Sequence, residues 1–373
     1  MYKVLEVNVD DTGYGGVFSL VKGVIARKKD NEFIDIAAIE KFEKENNIKE
    51  LKKYKSNVYY IGYHGNKILK QFICLKNLIK LIKKNKYECV HIHADVSNKL
   101  LVSGIAAKLA GVNKIILHSH AAGVDGNNRK IKLFFHYICR RILKQIGDEY
   151  VACSELAAEW MFPNIKRKEI IIIKNGVDLN KFRFNKEDRI RVRNQLGIKN
   201  EYIVGHVGRF AYQKNHTYLI DIFAELCKRR NDVKLLLVGE GILEQEIKKK
   251  VEILKLRDKV IFYGTTDEIE KIFSSIDVFI LPSHFEGLPI VGVEAQASGL
   301  PVVFSSMITR EAAVLKNVEY IDITEQKVLN WCNVIEQFIS LPRLDSYAEM
   351  KAAGFSMEDT QKNFYKLYEM PDK

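Results

Sequence analysis

Apolar positions along the chain fall into short β-branched runs that alternate with longer stretches of helical period. Such alternation predicts parallel sheets with helices on both faces, an α/β class. In the first half the strand candidates are YKVLEVNV (2–9), VYYIGY (58–63), ECVHIH (88–93), KIILHSH (114–120) and EYVACS (149–154). Helical period is expected at 16–28, 66–86, 97–110 and 130–146. IIIIKNGVDLNKF (170–182) carries one more strand into an Asn-Gly turn, which reads as a domain boundary. The rhythm then restarts with strands at 202–209, 233–239, 260–264 and 278–283 and helices at 214–230, 242–256, 267–275 and 289–298. Two consecutive doubly wound halves imply a cleft, and open sheets of this kind bind ligands at the carboxyl ends of their strands. Chemistry is therefore expected just after strands.

Length and composition agree with that reading. A chain of 373 residues exceeds what one core usually serves, and 47% hydrophobic with 28% charged residues suits a folded, water-soluble protein. No apolar run approaches the roughly 18 residues of a membrane span, and MYKVLEVNVD lacks a charged-then-apolar leader pattern, so a cytoplasmic location is expected. Six cysteines stand without any Cys-x-x-Cys spacing, which fits buried free thiols.

Charge changes the picture more. The net charge of +12 lies wholly in residues 1–180, with 31 Lys and Arg against 19 Asp and Glu, while 181–373 balance. KNLIKLIKKNK (76–86) and NRKIKLFFHYICRRILK (128–144) interleave cations with Leu, Ile, Phe and Tyr. Two readings stand: solvated amphipathic helices, or a surface held against anionic lipid as a peripheral membrane contact. Nucleic acid is not expected, because no recognition motif accompanies the charge.

Four stretches carry candidate chemistry. In DDTGYGGVF (10–18), Gly13, Gly15 and Gly16 allow either a plain tight turn or a phosphate approach at a helix start; the spacing is neither Gly-x-Gly-x-x-Gly nor a P-loop. In VGRFAYQKNH (207–216), Arg209 and Lys214 flank a strand-to-helix junction, as solvated loop cations or as partners of a diphosphate. His91/His93 and His118/His120 each put two imidazoles on one strand face. A metal site is conceivable but carboxylates nearby are sparse; packing is the plainer role for His91 and His93, while His118 or His120 would face the cleft as a hydrogen-bonding imidazole.

The fourth stretch is HFEGLPIVGVEAQASGLPVV (284–303). Pro289 suits a first helical position and Gly299 with Pro301 ends the helix, so Glu286 sits in the preceding loop and Glu294 mid-helix. The helix is small and apolar, which makes Glu294 costly without partners. Ligand hydroxyls would supply them, and the N–H groups of Gly287 and Leu288 would suit phosphate or sugar oxygens. The alternative is a capping Glu plus one paired in the core.

These stretches together resemble the retaining GT-B glycosyltransferases of family GT4. HFEGLPIVGVEAQASGLPVV looks like that family's Glu-x7-Glu motif, and VGRFAYQKNHTYLI, LLLVGEG and KNGVDLNKF resemble its other signatures in order. YECVHIHAD, KIILHSH and the tail MKAAGFSMEDTQKNFYKLYE are similar to the capsular and exopolysaccharide branch. The resemblance spans nearly the whole chain. It implies two Rossmann-like domains: residues 1–175 on the acceptor side, completed by a C-terminal helix at 356–373, and 176–355 binding a nucleotide sugar. It further implies that Glu286 contacts the donor sugar, Glu294 the ribose, and Arg209 with Lys214 the diphosphate. Gly15 and Gly16 would let the first loop near the phosphates, Gly287, Leu288 and Pro289 would line the donor site, and His120, or else His118, would take the cleft histidine position. Gly-Gly-Val-Phe departs there from the commoner Gly-Gly-Ala-Glu. No Asp-x-Asp occurs; the resemblance thus implies a metal-independent enzyme without cofactor, moving a sugar, with UDP the expected carrier, to a lipid-diphosphate-linked saccharide at the inner membrane surface. The rival readings are a non-catalytic sugar-nucleotide-binding subunit and an epimerase of the same fold.

Overall fold

The computed structural model describes residues 2–12, 16–29, 32–126 and 128–368. The chain divides into two compact units, the first running to Asn175 and resuming at Met357, the second Gly176–Ser356. The division falls within the Asn-Gly turn.

The first unit alternates strand and helix: β1 (Lys3–Val7), α1 (Gly16–Ile25), β2 (Phe33–Ala38), α2 (Glu45–Lys53), β3 (Val58–Tyr60), α3 (Lys67–Asn85), β4 (Cys89–Ala94), α4 (Ser97–Ala110), β5 (Lys114–Ser119), α5 (Arg129–Cys139), β6 (Glu149–Ala152), α6 (Glu155–Met161) and β7 (Ile170–Ile172). Among the described residues its strands form one parallel sheet in the order β3-β2-β1-β4-β5-β6-β7. Strand order reverses between β1 and β4, so a crevice opens at their carboxyl ends. Strands β4 and β5 are buried along their full length because helices cover both faces.

The second unit repeats the scheme with α7 (Lys186–Gln195), β8 (Tyr202–Val207), α8 (His216–Arg229), β9 (Val233–Val238), α9 (Glu244–Ile253), β10 (Val260–Gly264), α10 (Ile269–Ser275), β11 (Val278–Leu281), α11 (Ile290–Ala297), β12 (Val302–Ser305), β13 (Val318–Ile321), α12 (Val328–Phe338) and α13 (Tyr347–Ala352). Its parallel sheet runs β10-β9-β8-β11-β12-β13. Here the reversal lies between β8 and β11.

The last described helix, α14 (Met357–Tyr368), belongs to the first unit and packs on α1. Phe364, Leu367 and Tyr368 enter the same core as Val4, Leu20, Ile36 and Ile116. Burying one such apolar side chain contributes about 1.5–3 kcal/mol, enough for the helix to be an integral part of that unit.

Several elements escape the apolar pattern. Strand β2 reads FIDIAA, and Asp35 interrupts its apolar run; that carboxylate points outward to accept from Tyr87 Oη at 2.6 Å and from the Asn57 N–H at 2.7 Å. The helix expected over 130–146 stops at Cys139 and gives way to a 3-10 turn at Leu143–Gln145. Pro289 is the residue before α11 rather than its first helical residue, with ψ 103° and its carbonyl accepting from Gly292 and Val293. The helix therefore starts at Ile290.

Candidate active site

The β8/β11 reversal gathers most of the residues singled out by sequence. After β8 the chain passes Gly208, whose N–H donates to Val238 O at 2.9 Å, and then exposed Arg209 and buried Phe210. Gly239 follows β9 with φ +134°, and a Cβ there would stand 2.3 Å from the Gly208 carbonyl oxygen. Only glycine allows the two strand ends to approach so closely. A short turn, Tyr212–Lys214, and left-handed Asn215 then lead into α8.

Lys214 lies under this turn with its Nζ 2.7 Å from Glu286 Oε1; both side chains are largely buried. Ser283 Oγ donates to the same oxygen at 2.9 Å, and Gln213 Nε2 donates to Oε2 at 3.0 Å. Ser283 is itself held through its carbonyl, which accepts from Ser305 Oγ at 2.6 Å. A carboxylate accepts about two hydrogen bonds per oxygen. Oε1 thus has its two donors, whereas Oε2 keeps one acceptor position for a ligand, and Lys214 keeps two N–H donors. Such a carboxylate is a fixed hydrogen-bond acceptor. The loop is braced further by His284, which stacks on Tyr212 at 4.2 Å and donates its N–H to Gln213 O at 2.8 Å. Gly287, Leu288 and Pro289 are buried in the lead into α11.

Glu294 presents the opposite case. It is half-buried on the middle turns of α11, and among the described residues no side-chain hydrogen bond to it is formed. Burial pushes its carboxyl up to about 7; Lys181 and Lys214 oppose this from a distance and Glu270 adds to it. A carboxyl in that state binds well to a ligand that supplies hydroxyl donors. Behind Lys214 lie two buried neutral imidazoles: His206, lowered by burial to about 3, donates from Nδ1 to Ile280 O at 2.9 Å, and His216 stacks on Phe210 at 4.1 Å. Neither adds a competing cation.

The first unit has its own polar cluster at the β1/β4 reversal. Glu6 stands on β1, an interior strand of the sheet, and is 1% exposed. Its carboxylate accepts from Tyr368 Oη, and His93 Nε2 lies 2.5 Å from Oε2. His93 Nδ1 faces His120 Nε2 at 2.7 Å, and His91 Nε2 faces His118 Nδ1 at 3.1 Å. Burial disfavours a charge on Glu6, but the imidazoles of His91 and His93 outweigh it and hold the carboxyl well below its usual range. Burial lowers His93 to about 4 and takes His118 and His120 well below the ordinary imidazole value.

The two members of His-Ser-His differ in access. His118 is fully buried and flanked by Phe364, whereas His120 is partly exposed beyond the end of β5. Ring nitrogens of His91, His93 and His118 all lie within 4.8 Å of one another. Most are already engaged with each other or with Glu6, so a metal ion there would have to replace those bonds. Gly15 lies outside the described residues, and Gly16 opens α1.

Sequence reading missed Glu6, Gln213, Ser283 and the linking role given to His93. Glu6 carried a usable signal, a lone carboxylate at the centre of an apolar strand. Gln213 and Ser283 carried none, since loops bring them to Glu286.

Residues 188–355 match the family model of glycosyl transferases group 1, and residues 41–181 that of glycosyltransferase family 4. EpsF of Bacillus subtilis (strain 168), named as a glycosyltransferase, is 36% identical over 242 residues, covering 64% of this chain and 62% of that one. The UDP-Gal:alpha-D-GlcNAc-diphosphoundecaprenol alpha-1,3-galactosyltransferase of Escherichia coli is 32% identical over 259 residues, covering 64% and 63%. The chain thus matches less than two thirds of the length of either relative. Among solved structures, Anabaena HepE in complex with UDP-glucose superposes with a TM-score of 0.79 at 18% identity, covering 98% of this chain and 99% of that one. The fold is GT-B, two Rossmann-like units, and each unit matches a glycosyltransferase family.

Proposed function

We propose, from these glycosyltransferase matches in both units, that the chain transfers a hexosyl group from a nucleotide-diphosphate sugar, a UDP-sugar, to a hydroxyl of a lipid-diphosphate-linked saccharide, with retention, in the building of a capsular or other surface polysaccharide. The observation that carries this reading is Glu286, locked by Lys214, Ser283 and Gln213 with one acceptor position left on Oε2. Glu294, to which no side-chain hydrogen bond is formed among the described residues, supports it.

In this mechanism Glu286 Oε2 accepts from a donor-sugar hydroxyl and Glu294 from the ribose. Arg209 and the two remaining N–H groups of Lys214 meet the diphosphate, beside Gly287, Leu288 and Pro289 at the start of α11. The anomeric carbon–oxygen bond breaks with its electron pair leaving on the diphosphate. An acceptor hydroxyl attacks the oxocarbenium-like carbon on that same face, and its proton passes to the departing diphosphate oxygen. Fixed cations stabilise the leaving charge without reorganising, in place of a divalent metal or any cofactor. His120 faces the substrate as a neutral hydrogen-bonding imidazole; His118 is sealed in behind it.

The acceptor's lipid places the enzyme at the cytoplasmic membrane face. Helix α5 has the composition for that contact. His136 anchors its inner side, stacked on Trp160 at 4.0 Å and bonded to the Ser97 N–H at 3.1 Å, while Ile131, Phe134, Phe135 and Ile138 are exposed beside Lys130 and Arg141. No described helix is long and apolar enough to cross a membrane, and exposed aromatics with cations favour an interfacial position on anionic lipid.

Two measurements test the reading. In a panel of nucleotide sugars, one UDP-sugar should raise the melting temperature and be turned over with a lipid-diphosphate saccharide; no stabilisation by UDP or any UDP-sugar would sink the donor assignment. Sedimentation should show binding to vesicles containing anionic lipid that weakens with salt and falls in Phe134→Ser/Phe135→Ser. Equal binding to neutral vesicles would remove the membrane part.

A further inference from the structure

We propose that Glu6 and His93 are positioning residues that hold His120 as its Nε2–H tautomer, leaving Nδ1 bare to accept a hydrogen bond from a substrate hydroxyl. The proposal rests on the reading of His120 as the substrate-facing imidazole.

The proton order follows outward from one carboxylate. An ionised carboxylate only accepts, so the group at 2.5 Å from Glu6 Oε2, His93 Nε2, carries a proton. Burial keeps His93 neutral, and a neutral imidazole has one N–H. Its Nδ1 is therefore bare and must accept from His120 Nε2 at 2.7 Å. His120 is neutral for the same reason, which leaves its Nδ1 without a proton; among the described residues no group bonds that atom.

A second branch from the same carboxylate is consistent with that polarity. The Tyr368 hydroxyl donates its hydrogen bond to Glu6, so His91 Nδ1, 3.4 Å from both the Tyr368 oxygen and Glu6 Oε2, is the donor there. His91 Nε2 faces His118 Nδ1 at 3.1 Å, and because burial keeps His118 neutral, an N–H at that Nδ1 leaves its Nε2 bare. The sequence ends on His118 Nε2, which is buried and unpartnered. A bare acceptor with no donor is what a row of N–H groups all directed toward Glu6 leaves at its far end. Two histidine pairs on neighbouring parallel strands, in register at His93 and His118, thus share a single anion and point the same way.

Long-range 1H–15N correlation on full-length protein labelled at histidine reads the tautomer directly, with His120 assigned by its loss in His120→Gln. At pH 7 the wild type should show His120 protonated at Nε2 and bare at Nδ1. His93→Leu removes the acceptor and should give mixed tautomers at His120, with sugar-transfer turnover lower by on the order of 10²-fold. His93→Asn places an amide oxygen near the lost Nδ1 and should restore the Nε2–H tautomer and most of the turnover. A His120 protonated at Nδ1 in the wild type, or an unchanged tautomer in His93→Leu, overturns the proposal. So does a His93→Leu enzyme as active as the wild type, the result a packing role would give. If instead the tautomer shifts as described but His120→Gln keeps full turnover, it is the substrate-facing reading of His120 that fails.

Discussion

At the β8/β11 reversal a carboxylate is met by an ammonium, a hydroxyl and an amide; at the β1/β4 reversal a carboxylate within β1 is met by imidazoles and a phenol. Sheet topology puts a crevice at both points. Partner choice decides what each crevice offers. Around Glu286 the cation retains donors, so the second unit presents positive charge together with an acceptor, a pairing that suits a diphosphate attached to a sugar. In the proton order proposed above every N–H around Glu6 points inward, so the first unit would present neutral acceptors, which suit a hydroxyl. The same sheet reversal carries a different set of partners around a buried carboxylate in each unit.

The sharpest way to break this comparison is to remove the cation. Lys214→Met and Arg209→Ala should each lower kcat/KM by on the order of 10²-fold or more. Only the first should also destabilise the fold, by roughly 3–5 kcal/mol, because Glu286 then stays buried without its counter-charge. The double variant Lys214→Met/Glu286→Gln should recover the melting temperature but not the turnover. Recovery of both would mean that Lys214 serves Glu286 alone and never meets the diphosphate.

A smaller effect separates the satisfied carboxylate from the unsatisfied one. The folded pKa of Glu294 is raised to about 7, above the unfolded value of about 4.3. Between those values the folded chain keeps a proton that the unfolded chain has lost, so this group's contribution falls as pH rises from about 4.3 to about 7 and stays low above it. Glu294→Gln cannot ionise, and at pH 8 it should melt roughly 3–6 °C above the wild type, with the difference vanishing near pH 4. A pH-independent difference would show that desolvation of Glu294 is not the cause.

Much of the fold was legible because parallel strands covered on both faces are nearly uninterrupted apolar runs, as in β4, β5, β8 and β11. Strand β2 was not, since Asp35 turns outward and breaks its run into pieces too short to register. The Glu286 and Glu294 pair was legible from two carboxylates in an apolar stretch. Their difference was not: it depends on Ser283, Gln213 and Lys214 reaching one glutamate and no described side chain bonding the other, which loop geometry sets. The histidines show the same limit. Spacing placed each pair on one strand face, but the pairing of His93 with Glu6 and His120 comes from register between β1, β4 and β5. A lone carboxylate mid-strand, like Glu6 in YKVLEVNV, is the trace such a network leaves in a sequence.

Helix α14 has a consequence for how the protein is made. Its Phe364, Leu367 and Tyr368 complete the core of the first unit, and the Tyr368 hydroxyl reaches Glu6 near the other end of the sequence. On a ribosome adding about 5–20 residues per second, the first unit waits roughly 10–40 s while Gly176–Ser356 is synthesised. During that interval α1 and the strands beside it expose the groove that α14 later fills. Nascent chains of this protein are therefore candidates for chaperone capture at one defined place, and the second unit, continuous in sequence, is free to fold first.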